Sequence, residues 1–141
     1  MRISEVMTPN PRCVKQGDSL QAAARIMREE DAGIVPVVDE SGKLMGLVTD
    51  RDIVVRAVAD GDFQAKVSDV CSDDVVSCGP EMSTAEAAEL MSEHQVRRIP
   101  VVDGEERLVG IVSLGDLAVK EGRDSRMGET LEQISEGVKR H

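Results

Sequence analysis

Apolar and polar positions along this chain switch between two periods, and the switch happens twice. Leu20, Ala23, Ala24 and Met27 recur at helical spacing, which predicts an amphipathic helix. Asp18 with Gln21, just ahead of it, resembles a capping box. The run IVPVVDE, a polar turn containing SGK and the run LMGLVT then read as two strands joined by a hairpin-like connection. From Asp50 the segment RDIVVRAVAD regains helical spacing. The second pass repeats the first. An extended SDVCSDDVVS leads to Ser83 with Glu86 as a cap and Ala87, Leu90 and Met91 as an apolar stripe. RIPVVDG, a turn containing EER, LVGIVS and a helix from Leu114 follow. Pro36 and Pro100, Asp39 and Asp103, Gly46 and Gly110, Thr49 and Ser113, and Asp52 and Asp116 stand at a single offset of 64 (Pro36 to Pro100), with no gap. Such self-similarity decides the architecture before any single element does.

Each copy is therefore an extended entry, helix, strand, strand and helix. The first entry, Met1 to Gly17, carries Val6, Met7 and Val14 as packing residues, and its Pro9 and Pro11 exclude a continuous helix. The expected division is residues 1–59 for the first copy, 60–66 for a linker, 67–122 for the second copy and 123–141 for a helical tail. A unit of about 60 residues buries only about 60% of its extended-chain surface, so the copies are expected to pack into one body. Phe63, beside Gly61 in the linker, reads as a local packing anchor rather than a recognition residue. In the tail, Met127, Leu131, Ile134 and Val138 mark one helical face, weakened by Gly128 and Gly137. That stripe either closes over the body or meets a second subunit.

Composition narrows the partners. The 141 residues are 40% hydrophobic and 31% charged, with a formal net charge of −10, which suits a soluble globular protein and opposes nucleic acid or an anionic membrane as the main partner. Phe63 is the one aromatic residue, so several exposed bases have no side-chain platform to stack on. MRISEVMTPNP lacks the apolar core of a signal peptide, and no segment approaches the roughly 20 apolar residues of a membrane span. A cytoplasmic protein is expected. Cys13, Cys71 and Cys78 have no C-x-x-C spacing and only His94 and His141 as imidazole partners, so no metal site is expected. They are either free thiols or include a redox-sensitive pair.

The residues with chemical potential lie where the second strand of each copy ends. Gly46-Leu-Val-Thr49-Asp-Arg-Asp52 and Gly110-Ile-Val-Ser113-Leu-Gly-Asp116 share the form glycine, two apolar residues, hydroxyl, two residues, aspartate. Hydroxyl followed three residues later by carboxylate is close to a helix capping box. The same geometry holds a phosphate at the hydroxyl and exposed N–H groups, and a ribose diol at the carboxylate. Spacing alone leaves capping, and capping with a nucleotide, equally open. His94 falls near a helix C-terminus, where a capping role outweighs a ligand role.

The doubled pattern, a strand with apolar-Pro-Val about ten residues before G-h-h-[ST]-x-x-D, resembles the cystathionine beta-synthase (CBS) domain, and the two together resemble a CBS pair from about Ile3 to Lys120. The resemblance implies an α+β fold of two β-α-β-β-α repeats, packed through their sheets about a pseudo-twofold axis with two clefts. It implies an adenosine-containing ligand: AMP, ADP, ATP or S-adenosylmethionine, with NADH a further candidate. By resemblance Asp52 and Asp116 take the ribose, and Thr49 and Ser113 lie by the phosphate. The backbones of Ile34, Val35 and Pro36, and of Arg98, Ile99 and Pro100, hold the adenine. The entry segments near Thr8 and Val14, and near Ser72 and Cys78, are weaker candidates. It also implies a disc-like homodimer.

The copies differ beside the motif. Asp50 and Arg51 stand where the second copy has Leu114 and Gly115, and Arg97 and Arg98 where the first has Gly33 and Ile34. Asp50 opposes a phosphate, Arg51 can offset it, and Arg97 with Arg98 is either a phosphate clamp or a solvated pair. No nucleophile elbow, triad or phosphate loop is present, so no enzyme is expected. The expected function is a stand-alone regulatory module that binds an adenine nucleotide and signals to a protein still to be identified. The alternative is a constitutive dimeric interaction protein without nucleotide.

Overall fold

A computed structural model describes residues 1–121, with side chains up to Ala118; the predicted tail helix lies outside the described residues. The chain forms two compact units that do not follow the order of the copies. Of the described residues, one unit takes 11–75 and 105–108; the other takes 1–10, 76–104 and 109–121.

In the unit built on the first copy, strand β2 (Val14–Lys15) runs parallel to β3 (Ile34–Val38), which pairs antiparallel with β4 (Leu44–Thr49). Helix α2 (Leu20–Glu30) lies between β2 and β3 in the chain, and the described copy ends in α3 (Asp50–Ile53), continued by a π-helical segment, Val54–Val58. The turn between β3 and β4 is held by Asp39, whose Oδ1 accepts from the Ser41 amide, the Ser41 hydroxyl and the Lys43 amide. Gly42 takes the left-handed φ of 86° there, a conformation cheap only for glycine. The core of this unit gathers Val14, Leu20, Ala23, Val35, Val37, Val48, Ala57, Ala65, Val67 and Val70.

Val67 and Val70 belong to the second copy. They sit on a one-turn helix, α4 (Val67–Val70), after which Ser72 bridges antiparallel to Leu47 of β4. The other unit mirrors this. Its helix α1 (Ile3–Val6) and strand β1 (Thr8–Pro9) come from the first entry segment, and β1 pairs antiparallel with β6 (Leu108–Ser113), next to β5 (Arg98–Val102). Cys78 bridges parallel to Val101 of β5, as Val14 does to Val37. Helices α5 (Thr84–His94) and α6 (Leu114–Glu121) complete it, around Ile3, Val6, Cys78, Ala87, Ala88, Met91, Ile99, Val101, Val112, Leu114 and Leu117. Each core thus holds apolar residues of the other copy's entry.

Several expectations are corrected. The entries are not wholly extended, since Ile3–Val6 and Val67–Val70 each make a helical turn. The cap of α2 is Ser19, whose hydroxyl accepts from the Ala22 amide at 3.2 Å, while Asp18 accepts from the Lys15 amide at 2.9 Å and ties the preceding turn instead. Ser83 caps α5 as expected, accepting from the Glu86 amide at 3.1 Å. Phe63 is 74% exposed and is not a packing anchor. Val54, Val55 and Val58 are exposed as well, and Val58 and Phe63 line a hollow of about 190 Å³ together with Leu20, Ala24, Ile53 and Ala57.

Candidate functional site

Both strand-end motifs fold into reciprocal capping boxes. Thr49 Oγ1 accepts from the Asp52 amide at 3.0 Å while the Thr49 amide donates to Asp52 Oδ2 at 3.1 Å. Ser113 Oγ accepts from the Asp116 amide at 3.0 Å, and the Ser113 amide donates to Asp116 Oδ2 at 2.9 Å. The two boxes agree to about 0.2 Å although their intervening residues differ in charge and size. Each box fixes the carboxylate's orientation through Oδ2 and leaves Oδ1 outside the box. Both aspartates are half-buried, so the hydrogen bonds they make are less screened than those of the exposed acids.

The strands bring the other candidates to the same place. In the β3–β4 register Ile34 lies opposite Thr49 and Pro36 opposite Leu47. Val35, Val37 and Val48 face the core with no exposure, so by the period of two Ile34, Pro36, Leu47 and Thr49 share the other face. Ile99, Val101 and Val112 are likewise buried, which turns Arg98, Pro100 and Ser113 to one face. Val35 and Ile99 could meet a ligand only through their backbones, because their side chains fill the cores. The Pro100 carbonyl already accepts from the Cys78 amide at 3.1 Å.

Two features of the site escape the sequence reading. Arg56, one turn after Asp52, places Nε 3.9 Å from Asp52 Oδ1 and donates from Nη1 to the Val70 carbonyl at 3.3 Å. It joins the first box to the entry segment of the second copy; its i, i+4 spacing was the available signal. The motif glycines also have a steric role. A Cβ on Gly46 would collide with the Ser72 carbonyl oxygen, and one on Gly110 would collide with Met7 Sδ and lie 3.1 Å from the Thr8 carbonyl oxygen. The glycine of each motif is where the other copy's entry crosses the strand. Thr8 and Ser72 are therefore brought beside β6 and β4 respectively, whereas Val14 and Cys78 lie across the sheets, beside β3 and β5.

Arg51 and Arg97 are exposed and Arg98 half-buried. His94 ends α5 and is exposed. The thiols of Cys13 and Cys71 are shifted up by burial, and that of Cys78 is pushed up to about 11 by the same cause. All three cysteines are free. Among the described residues no group of three His, Cys, Asp or Glu could hold a metal ion, and no helix is long and apolar enough to cross a membrane.

Two copies of a β-α-β-β-α unit with exchanged entries, each ending in a hydroxyl–aspartate box, define a tandem-repeat class, and the family model for the CBS domain matches residues 3–58 and 67–120. The chain belongs to the CBS domain family, as a tandem pair. It is similar to the CBS domain-containing protein YhcV of Bacillus subtilis, at 44% identity over 134 residues that cover 94% of each chain. Among solved structures, hypoxic response protein I with two coordinated zinc ions superposes with a TM-score of 0.77 at 36% identity, covering 85% of this chain and 98% of that one. CBSX2 in complex with AMP superposes with a TM-score of 0.75 at 27% identity, covering 84% and 93%.

Proposed function

We propose that this protein is a regulatory module that binds an adenine nucleotide at the Thr49–Asp52 and Ser113–Asp116 boxes and passes the bound state to a partner protein. The observation that carries the reading is the pair of boxes: two carboxylates pinned by the same bonds, each with Oδ1 outside its box. A vicinal diol can donate to such a carboxylate, and the neighbouring Thr or Ser with its helix-start amides suits a phosphate. The AMP held by the similar CBSX2 supports the ligand class. Ile34, Val35 and Pro36, with Arg98, Ile99 and Pro100, are assigned to the adenine through backbone groups. Arg97 and Arg98 are assigned to phosphate, and Arg51 to offsetting the charge of Asp50.

Filling a site changes a partner's response only if ligand binds two forms of the module unequally. Arg56 offers a route for that difference, since a hydroxyl arriving at Asp52 Oδ1 competes with the guanidinium that also holds the Val70 carbonyl. Calorimetric titration with AMP, ADP, ATP, S-adenosylmethionine and NADH tests the proposal. Asp52→Asn and Asp116→Asn are each expected to weaken one class of site. No heat and no thermal shift at millimolar ligand would sink the nucleotide reading in favour of a ligand-free interaction protein. A cytoplasmic homodimer is the proposed form, with the exposed side chains of Val54, Val55, Val58 and Phe63 as apolar surface available to a second copy. Sedimentation showing only monomer at micromolar concentration would contradict the dimer.

A further inference from the structure

Residues 33 and 97 occupy equivalent places in their units. The Asp50 amide donates to the Gly33 carbonyl at 2.9 Å, and the Leu114 amide donates to the Arg97 carbonyl at 2.8 Å. In the first copy a Cβ at residue 33 would lie 3.1 Å from Asp50 Oδ2 and 3.3 Å from both Cγ and Oδ1. The Asp50 carboxylate therefore covers the spot from which the Arg97 side chain departs in the second copy. Oδ1 of Asp50 accepts from the Arg51 amide at 2.8 Å, which holds it there. In the second copy the place of Asp50 is taken by Leu114, which is 5% exposed and turned into the core.

The charge next to the two hydroxyls is thus different in kind. The Leu114 amide, next to Ser113, is bonded to the Arg97 carbonyl, with Arg98 following in the chain, and residues 114 and 115 carry no acid. Beside Thr49 stands a carboxylate, with Arg51 exposed next to it and Arg56 directed at Asp52 and Val70. A phosphate brought to Thr49 meets a like charge, whereas one brought to Ser113 meets guanidinium groups able to bind it in forked geometry.

We propose that the two sites select adenosine ligands of different charge. The Ser113–Asp116 site takes a phosphate-bearing nucleotide, and the Thr49–Asp52 site takes an adenosine whose 5′ substituent is neutral or cationic, such as adenosine itself or a sulfonium. The proposal rests on the nucleotide reading above and adds a ligand class to each site. Gly33 and Asp50 are the determinants in one, Arg97 and Leu114 in the other.

The test uses the full chain at low salt, where exposed charges act over the longest range, with adenosine, AMP and S-adenosylmethionine titrated separately. Asp116→Asn leaves the first site and Asp52→Asn the second; thermal unfolding checks that both fold. The AMP-to-adenosine affinity ratio is expected to differ by about tenfold between these variants, higher in Asp52→Asn, as an effect of about 1.4 kcal/mol requires. S-adenosylmethionine is expected to follow adenosine. In the Asp116→Asn background, Asp50→Leu is expected to move the ratio several-fold toward AMP. Equal ratios in the two single-site variants, an Asp50→Leu change without effect, or a folded Asp116→Asn protein that binds none of the three would overturn the selectivity. Binding with equal ratios would leave the nucleotide reading standing, whereas failure of the unaltered protein to bind any of the three would overturn both.

Discussion

Gly46→Ala tests the exchange of entry segments directly. The added Cβ falls against the Ser72 carbonyl oxygen, with the Ser72 carbonyl carbon at 3.3 Å and Asp73 Cα at 3.6 Å. These are backbone atoms, so no side chain can rotate away. The Leu47 amide donates to the Ser72 carbonyl at 2.9 Å and the Ser72 amide to the Leu47 carbonyl at 2.8 Å, and relieving the clash strains both. Overpacking costs about 1–3 kcal/mol, and each weakened hydrogen bond adds up to about 1 kcal/mol. The backbone at Gly46 is not left-handed, so alanine also gains about 0.4–1 kcal/mol from a less free unfolded chain. The middle values of these terms give a net loss of about 2–3 kcal/mol. Gly110→Ala is expected to lose less, about 1–2 kcal/mol, because the nearest atom is the flexible Met7 sulfur rather than backbone. Gly104→Ala, with nothing within 4 Å of its Cβ, serves as the control and should stay within about 0.5 kcal/mol of the parent or gain stability. Urea unfolding followed by circular dichroism gives the three values, and a Gly46→Ala midpoint no lower than that of Gly104→Ala would refute the exchange at Ser72.

Two further predictions concern the cap and the buried thiol. Ser19→Ala is expected to cost about 1 kcal/mol by removing the acceptor for the Ala22 amide, and Gln21→Ala close to nothing, in urea unfolding; a larger loss at Gln21 would restore the Asp18–Gln21 box. Burial raises the Cys78 thiol from its ordinary 9.0 to about 11, so between these values the unfolded chain has lost a proton that the folded chain keeps. Stability that is fully present below pH 9 therefore falls as pH rises toward 11, by about 1.4 kcal/mol per pH unit. The chain has no tyrosine to titrate in that window. Cys78→Ala should flatten the slope of stability against pH, measured from urea midpoints at pH 8, 9 and 10, and equal slopes in parent and variant would rule the cause out.

The parts legible in the sequence were those governed by local rules. Strands Ile34–Val38 and Leu44–Thr49, with their counterparts 64 residues on, declared themselves through β-branched runs around a polar turn. Ser83 was legible as a cap because hydroxyl and Glu86 stand at the required spacing. Asp18 misled for the same reason, since its spacing to Gln21 fits a box as well as Ser19 fits a cap, and only the bond to the Lys15 amide separates them. Helix ends were harder. Asp31 and Gln95 both terminate their helices in the left-handed region, at φ of 50° and 54°, without the glycine that usually signals it.

What spacing could not carry was partnership between distant segments. Val6 and Val67 read as apolar residues of their own copies, yet each is buried in the core built on the other. A repeat places equal residues at equal positions and is silent on which copy each one packs against. The glycines held the missing information in a form that needs coordinates to interpret. Gly46 and Gly110 recur because a second backbone or side chain passes over each strand at that point. The same crossings bring Ser72 beside the strand that ends in Thr49, and Thr8 beside the strand that ends in Ser113. Each strand that ends in a box is therefore paired with a segment from the opposite copy. The regulatory role proposed above would draw on that connection, because a change in one strand end would then reach residues that the repeat assigns to the other copy.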